Sequence, residues 1–226
     1  MDFTRRAALA TVGAVGLGTV AGCLGGATGS DGGGDTGDTT PIGDHPAAGG
    51  LDAQPALGAA DAGATVVAFE DPSCPTCRNF ERGTGARLKD GPVADGDLRF
   101  VSRVYPIIYP WGKPAVQALE AVYARDEDAY WTLFDHYFAE QDSFDEDNVL
   151  DLTGSFLREA TGLDAAAVVG DAAAEEYDDA VQADLDAGRA SGANRTPTLF
   201  LFRDGDYVTR ATGNVSYETI ASALQL

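Results

Sequence analysis

The chain has 226 residues, with 36 Asp and Glu against 15 Lys and Arg, for a formal charge of -21. That length suits one domain of ordinary size, and 44% hydrophobic with 9% aromatic residues supports a real core, which excludes wholesale disorder. So acidic a chain repels phosphate backbones and lacks the basic footprint that nucleic-acid binding needs, so nucleic acid is excluded as a partner.

Residues 1–22 read as an address rather than as part of the fold. Thr4-Arg5-Arg6 supplies a charged start, and Ala7 to Ala21 then runs without a charge. That run falls short of the about 20 residues a membrane-spanning helix needs and suits an export signal. Paired Arg5-Arg6 resembles the twin-arginine type of signal, which exports folded proteins. Val20-Ala21-Gly22-Cys23 resembles a lipobox, which implies cleavage before Cys23 and a lipid on its sulfur. The stretch over residues 23–55 is rich in Gly, Asp, Ser and Thr and reads as a flexible tether holding a domain off the membrane. His45 falls within it and is expected to be solvated. The folded domain is assigned to residues 56–226.

Of three cysteines, lipidation of Cys23 leaves two, Cys74 and Cys77, in Cys74-Pro75-Thr76-Cys77. A bridge across two residues closes a tiny loop and stabilises little by chain entropy, so the pair suits chemistry better than stapling. A zinc site wants four ligands, and beyond the pair the chain offers only His45 and His136.

Ala64 to Phe69 is β-branched and apolar, as in a buried strand; Glu70-Asp71-Pro72-Ser73 is turn chemistry, and Arg78 to Lys89 supports a helix. Cys74 therefore falls at a helix N-terminus, where unpaired N–H groups and the helix dipole stabilise a thiolate. Cys77, one turn inward, suits the resolving role. A mainly helical interval follows, over Ala115 to Arg125, Ala129 to Ala139, Asn148 to Thr161 and Ala165 to Asp186. Trp131, Phe134, Tyr137 and Phe138 are assigned to its core. Tyr109-Pro110-Trp111-Gly112 either lines a peptide groove or packs beneath this interval. Thr196-Pro197 then precedes a strand, Thr198 to Phe202. A turn at Arg203 to Asp206, a partner strand from Tyr207 to Thr212 and a helix from Ser216 to Leu226 complete the chain. A proline directly ahead of a central strand is explained by a cis Thr196–Pro197 peptide.

This order is similar to the thioredoxin fold, an α/β architecture, with a helical insertion at about residues 113–190 between its CxxC half and its cis-proline half. Phe69-Glu-Asp-Pro-Ser-Cys-Pro-Thr-Cys77 together with Arg195-Thr-Pro-Thr-Leu-Phe200 resembles the DsbA-type thiol–disulfide oxidoreductases, over roughly Ala64 to Leu226. The resemblance implies that Cys74 is the nucleophile, Cys77 the resolving thiol and Pro197 the cis-proline facing them. It also implies that Thr196 offers backbone hydrogen bonds to a bound peptide. No metal or organic cofactor is implied. The implied partners are reduced exported proteins and a membrane or soluble redox partner, with the membrane itself reached through lipid on Cys23.

One departure stands out. Relatives of this kind often bury a carboxylate six residues before the first cysteine, and here that position is Ala68. Glu70 and Asp71 are expected to face the turn and solvent, leaving any proton relay to water. The implied activity is disulfide introduction. The alternatives are a thiol reductase serving cytochrome or copper-site maturation, and a non-enzymatic copper-handling or binding lipoprotein. High Asp with only Lys89 and Lys113 as lysines resembles proteins of extremely salt-loving archaea, in which molar salt screens self-repulsion.

Overall fold

The computed structural model describes residues 40–226; the expected signal, Cys23 and the first part of the tether lie outside the described residues. Five strands form one sheet in the order β1-β3-β2-β4-β5: β1 (Ala56–Leu57), β2 (Ala64–Glu70), β3 (Leu98–Val104), β4 (Thr198–Arg203) and β5 (Asp206–Thr212). β2 pairs β3 in parallel and β4 antiparallel, so it runs through the middle of the sheet. Its burial is almost continuous, as a central strand covered on both faces requires. β4 turns into β5 through Asp204 and Gly205, both at positive φ, the backbone a tight hairpin needs.

Side chains alternate across β2. Val66 and Ala68 enter one core with Phe80, Leu88, Phe100, Leu199 and Leu201. Val67 and Phe69 enter the other with Val101, Phe200 and Phe202.

After β2 the chain enters α1 (Pro75–Phe80) and stays helical through a π turn at Glu81–Gly85, the short α2 (Ala86–Leu88) and a second π turn at Lys89–Val93. Each π turn adds a residue to the local repeat, which re-aims the side chains that follow it. The insertion between β3 and β4 consists of α3 (Gly112–Tyr123), α4 (Glu127–Ala139), α5 (Val149–Ala160), α6 (Ala165–Ala173) and α7 (Asp178–Ala190). Asp126 and Asp164 cap α4 and α6 by accepting backbone N–H bonds. α8 (Tyr217–Leu224) closes the chain, capped by Ser216 and burying Ile220 and Leu224. Trp131, Phe134, Tyr137 and Phe138 are all core.

Two expectations are corrected here. The single helix read over Ala165 to Asp186 is broken at Glu175, which has φ 53°. Neither Gly nor Pro marks the break; both helices touch α3, but α6 also packs on α5, whereas α7 packs on β3 and on the turn at Pro46–Ala48. The tether, read as far as residue 55, is folded over residues 40–55. Three short 3₁₀ turns, Ile42–Asp44, Pro46–Ala48 and Leu51–Ala53, lie across the second face of the sheet. Ile42 N–H donates to the Gly205 carbonyl at 2.7 Å, and Tyr207 N–H donates to that of Thr40 at 2.8 Å. Ala47 and Ala48 are buried. His45, expected in solvent, stacks on Tyr207 at 4.6 Å and tilts against Phe200 and Phe202. Small residues let this strap approach closely, and without it Phe200 and Phe202 would face water.

A buried ion pair ties the strap to the insertion. Arg103 on β3 donates to Asp184 on α7 at 2.6 Å, with exposures of 2% and 1%, and also to the Gly49 carbonyl. Asp184 further accepts from Val104 N–H and the Gln54 amide. Burial pushes Asp184 up to about 6 against the pull of Arg103. Glu120 on α3 is pushed up to about 8, by burial first and then by the charge of Asp184, with Arg103 opposing.

The folded state therefore holds the Glu120 proton well above the ordinary carboxylate value of 4.5. A raised carboxyl contributes stability that is fully present below the unfolded value and is lost as pH rises through the folded one. Glu120→Gln carries no such ionisation cost. Its denaturant midpoint should match wild type near pH 4 and exceed it above pH 8, a gain of up to about 4 kcal/mol in unfolding free energy. Parallel midpoints across that range would place Glu120 ionised beside Arg103.

Candidate active site

Cys74 is the N-cap residue of α1 (φ -81°, ψ 118°), with Pro75 at the first helical position, where a missing N–H costs nothing. Cys74 is 3% exposed, and Cys77 is completely buried one turn deeper. Neither sulfur is bridged. The Thr196–Pro197 peptide is cis, and the Cys74 thiol donates to the Thr196 carbonyl at 3.4 Å, which brings residues from the two halves of the fold together.

The two thiols are driven apart. Cys74 is lowered to about 5, chiefly by a hydrogen bond from the Cys77 thiol, against the cost of burial, with help from Thr196 and the backbone N–H groups of Cys77 and Thr76. Thr196 Oγ1 is buried with no partner, so its hydroxyl is free to donate to a Cys74 thiolate, which can no longer donate to the Thr196 carbonyl. Cys77 is pushed well above its ordinary value by burial first, then by its bond to Cys74 and by the Glu70 carboxyl once that group ionises.

Glu70 and Asp71 do not face solvent as the sequence suggested: they are 1% and 0% exposed. β2 runs on to Glu70, and its alternation carries that side chain onto the face of Val66 and Ala68, beneath α1. The carboxylate missing at Ala68 is thus supplied one strand period later. Neither Glu70 oxygen has a hydrogen-bond partner within ordinary distance. Burial, and then the nearby Glu81 carboxyl, push it well up from the usual carboxylate range and keep it protonated.

Behind it, Glu81 at the first π turn pairs with Lys89 at the second, at 2.5 Å, and Lys89 also reaches Asp135 at 3.6 Å. Burial opposes the Lys89 charge, but Glu81 and Asp135 together hold it above its ordinary value. An open cleft of about 430 Å³ reaches Glu81, Lys89 and Asp135 from the surface.

Asp71 organises the approach to the pair. One oxygen accepts from the Ser73 N–H at 2.8 Å and hydroxyl at 2.6 Å, and the other accepts from Ile107 and Ile108 N–H, both at 2.8 Å. Ser73 Oγ in turn accepts from Tyr109 N–H. A Cβ on Gly112 would sit 2.6 Å from Asp71, so only glycine fits there. Trp111 is buried against Phe144 and Tyr137, whereas Ile107, Ile108 and Tyr109 remain exposed at 42%, 41% and 52% beside the pair.

Two residues that sequence reasoning missed belong to the site. Glu70 was legible from the period of two along β2. Gln141, whose side-chain amide donates to the Pro72 and Cys74 carbonyls, was not. Among the described residues, no three His, Cys, Asp or Glu side chains converge as metal ligands. His136 stacks on Phe156 at 3.7 Å, in the insertion.

Comparison with known proteins agrees with this geometry. The chain is 27% identical over 150 residues to disulfide bond formation protein D of Bacillus subtilis, covering 66% of this chain and 67% of that one. It is 31% identical over 107 residues to a probable disulfide bond formation protein D of Bacillus cereus, covering 47% and 50%. The fold superposes on the crystal structure of oxidised BdbD from B. subtilis with a TM-score of 0.69 at 24% identity, covering 78% of this chain and 95% of that one. The alpha-DsbA1 structure of Wolbachia pipientis gives 0.66 at 18%, covering 76% and 89%. The family model described as Thioredoxin matches residues 51–225, and by that match the chain belongs to the thioredoxin family.

Proposed function

We propose that the protein is a thiol–disulfide oxidoreductase that introduces disulfides into exported proteins. The observation that carries this reading is the placement of the two thiols: Cys74 at the N-cap of α1 against the Thr196 carbonyl before cis-Pro197, and Cys77 buried one turn deeper, which lowers the first and raises the second. A stabilised Cys74 thiolate stabilises the dithiol form, and that makes the disulfide oxidising. The names of the Bacillus relatives support the same class of reaction.

In the forward cycle a substrate thiolate attacks the Cys74 sulfur of the Cys74–Cys77 disulfide. The S–S bond breaks and its electron pair goes to Cys77. That sulfur is buried in apolar surroundings, so it needs a proton as it leaves, and the neutral Glu70 carboxyl is the donor beside it. A second substrate thiolate then attacks the substrate sulfur of the mixed disulfide, and Cys74 departs as a thiolate. The substrate has lost two electrons and the enzyme holds them as a dithiol. Thr196, ahead of cis-Pro197, offers backbone hydrogen bonds to the substrate strand. A membrane or soluble partner of matching potential reoxidises the pair.

The address read in residues 1–22 completes the proposal: twin-arginine export, cleavage before Cys23, and a lipid that holds the domain at the outer face of the membrane. Among the described residues no helix is long and apolar enough to cross a membrane. The acidic, lysine-poor composition supports a high-salt setting for it.

Equilibrating residues 40–226 with glutathione in high salt tests the direction. A potential above roughly -180 mV is expected, and a value near -270 mV would mark a reductase instead. Cys74→Ser should abolish exchange, while Cys77→Ser should accumulate mixed disulfides with substrate; a fully active Cys74→Ser protein overturns the assignment.

Glu70→Gln removes the proton donor, and at the high pH where Cys77 titrates it also removes the carboxylate charge that Glu70 then carries. Breakage of the Cys74–Cys77 bond by a small thiol should slow by about tenfold or more, and Cys77 should titrate at lower pH. Stopped-flow reduction against pH measures both, and unchanged rates would leave the proton to water.

A further inference from the structure

We propose that Gln141 is a positioning residue for the reactive pair: from the helical insertion, its side-chain amide holds the Pro72 and Cys74 carbonyls and so fixes the turn that presents the Cys74 sulfur to the helix amides. The inference rests on the oxidoreductase reading of the pair and extends it to a residue outside the CxxC and cis-proline motifs.

Gln141 opens a short 3₁₀ turn, Gln141–Ser143, between α4 and α5, and is 6% exposed. Its Nε2 donates to the Pro72 carbonyl at 2.6 Å and to the Cys74 carbonyl at 3.0 Å. A primary amide has two N–H donors, and both are spent on this one turn. The Cys74 carbonyl already accepts the first helical bond of α1, from Arg78 N–H at 3.1 Å, so Gln141 takes its second lone pair. Pro72 is buried, and its carbonyl would otherwise face the interior. On the other side of the turn the Asp71 carboxylate holds the Ser73 N–H and hydroxyl. Pro72-Ser73-Cys74 is thus gripped by an acceptor at its middle and by a donor at its two ends. The next residue of the same 3₁₀ turn, Asp142, pairs with Arg78 of α1 at 2.7 Å, so the insertion meets the active helix at two successive positions.

This grip bears on the chemistry for two reasons. The carbonyl oxygens of Pro72 and Cys74 are the negative ends of dipoles close to the sulfur that becomes a thiolate, and a donor on each neutralises them. The amides of Thr76 and Cys77 lower the Cys74 value only while Sγ lies in front of them. Without Gln141 the Pro72 carbonyl is left unpaired in the interior, and the turn relieves this by rotating toward solvent, carrying Sγ away from those amides. A purely structural strut would cost stability and leave the thiolate alone.

The test compares wild type, Gln141→Met, which keeps length without donors, and Gln141→Lys, which restores a donor of similar reach. Each is followed by denaturant midpoint, pH-dependent alkylation of Cys74 and equilibration with glutathione. Gln141→Met should react about threefold more slowly with iodoacetamide at about pH 5.5 and shift the glutathione equilibrium toward the dithiol's oxidation, with Gln141→Lys recovering both. A lowered midpoint with unchanged alkylation and equilibrium overturns the proposal. Should Gln141→Met not fold, the wild-type chain still decides. The Gln141 side-chain amide signals in NMR should follow the Cys74 titration, and flat signals through it overturn the proposal. If the wild-type pair does not exchange with glutathione at all, the oxidoreductase reading fails first. Exchange in wild type with an indifferent Gln141→Met removes only the role of Gln141.

Discussion

The structure depends on the placement of two like groups in unlike surroundings. Cys74 and Cys77 are one helical turn apart, yet one sits at the N-cap before free amides and the other in the apolar interior above a neutral carboxyl. A sulfur at a helix N-terminus gains from partial positive charge, and a sulfur in a low-dielectric core pays for any charge it carries. The rest of the fold keeps that contrast in place. β2 ends where it must to deliver Glu70 beneath the helix and Asp71 to the turn, and β4 begins where it must to bring Thr196 to the sulfur.

Buried charge recurs on the other side of the sheet, where it has a different part. Arg103 and Asp184 satisfy each other and recruit Gly49, Gln54 and Val104, so the strap, the sheet and the insertion share one polar centre. A buried pair is weak evidence for net stability, but removing either member would leave a charge without a partner. The knot therefore specifies how three separate pieces of chain meet. Glu120, pushed up by burial and by the charge of Asp184, behaves as Glu70 does: each is a buried carboxyl with no hydrogen-bonded cation, and burial favours its neutral form.

Much of this was legible beforehand. The β-branched run before the CxxC, the Thr-Pro before an apolar strand and the Asp-Gly turn are local signals, and each stands in the structure where its chemistry requires. What was hidden depended on distant parts of the chain. Residues 40–55 look like linker because alanine, glycine and proline carry no periodicity; they fold because the aromatic face of β4 needs a cover. The break at Glu175 has no local breaker and follows from two helices packing on different neighbours. Gln141 carries no motif at all, and its value appears only when the insertion folds back over a turn nearly seventy residues earlier. Glu70 is the instructive case. Its strand was identified and its alternation was available, but turn-forming neighbours Asp71 and Pro72 drew the reading toward solvent.

The proton accounting follows from the same contrast. Above about pH 5 the dithiol form carries Cys74 as a thiolate and keeps a proton on Cys77, with Glu70 neutral nearby. Two electrons then move with one proton rather than two. In the proposed cycle that proton belongs to the buried sulfur, and the Glu70 carboxyl on β2 holds or returns it in place of water. The second carboxyl, Glu81, lies between Glu70 and a cleft open to the surface, with Lys89 beside it. The charges beneath the helix are therefore arranged from the interior outward: a buried acid within electrostatic reach of the sulfur, then an ion pair, then solvent. An acid placed directly in contact with bulk water would be ionised at neutral pH and unable to protonate a leaving thiolate. Depth keeps Glu70 usable, and the ion pair behind it lets that depth exist without isolating the proton.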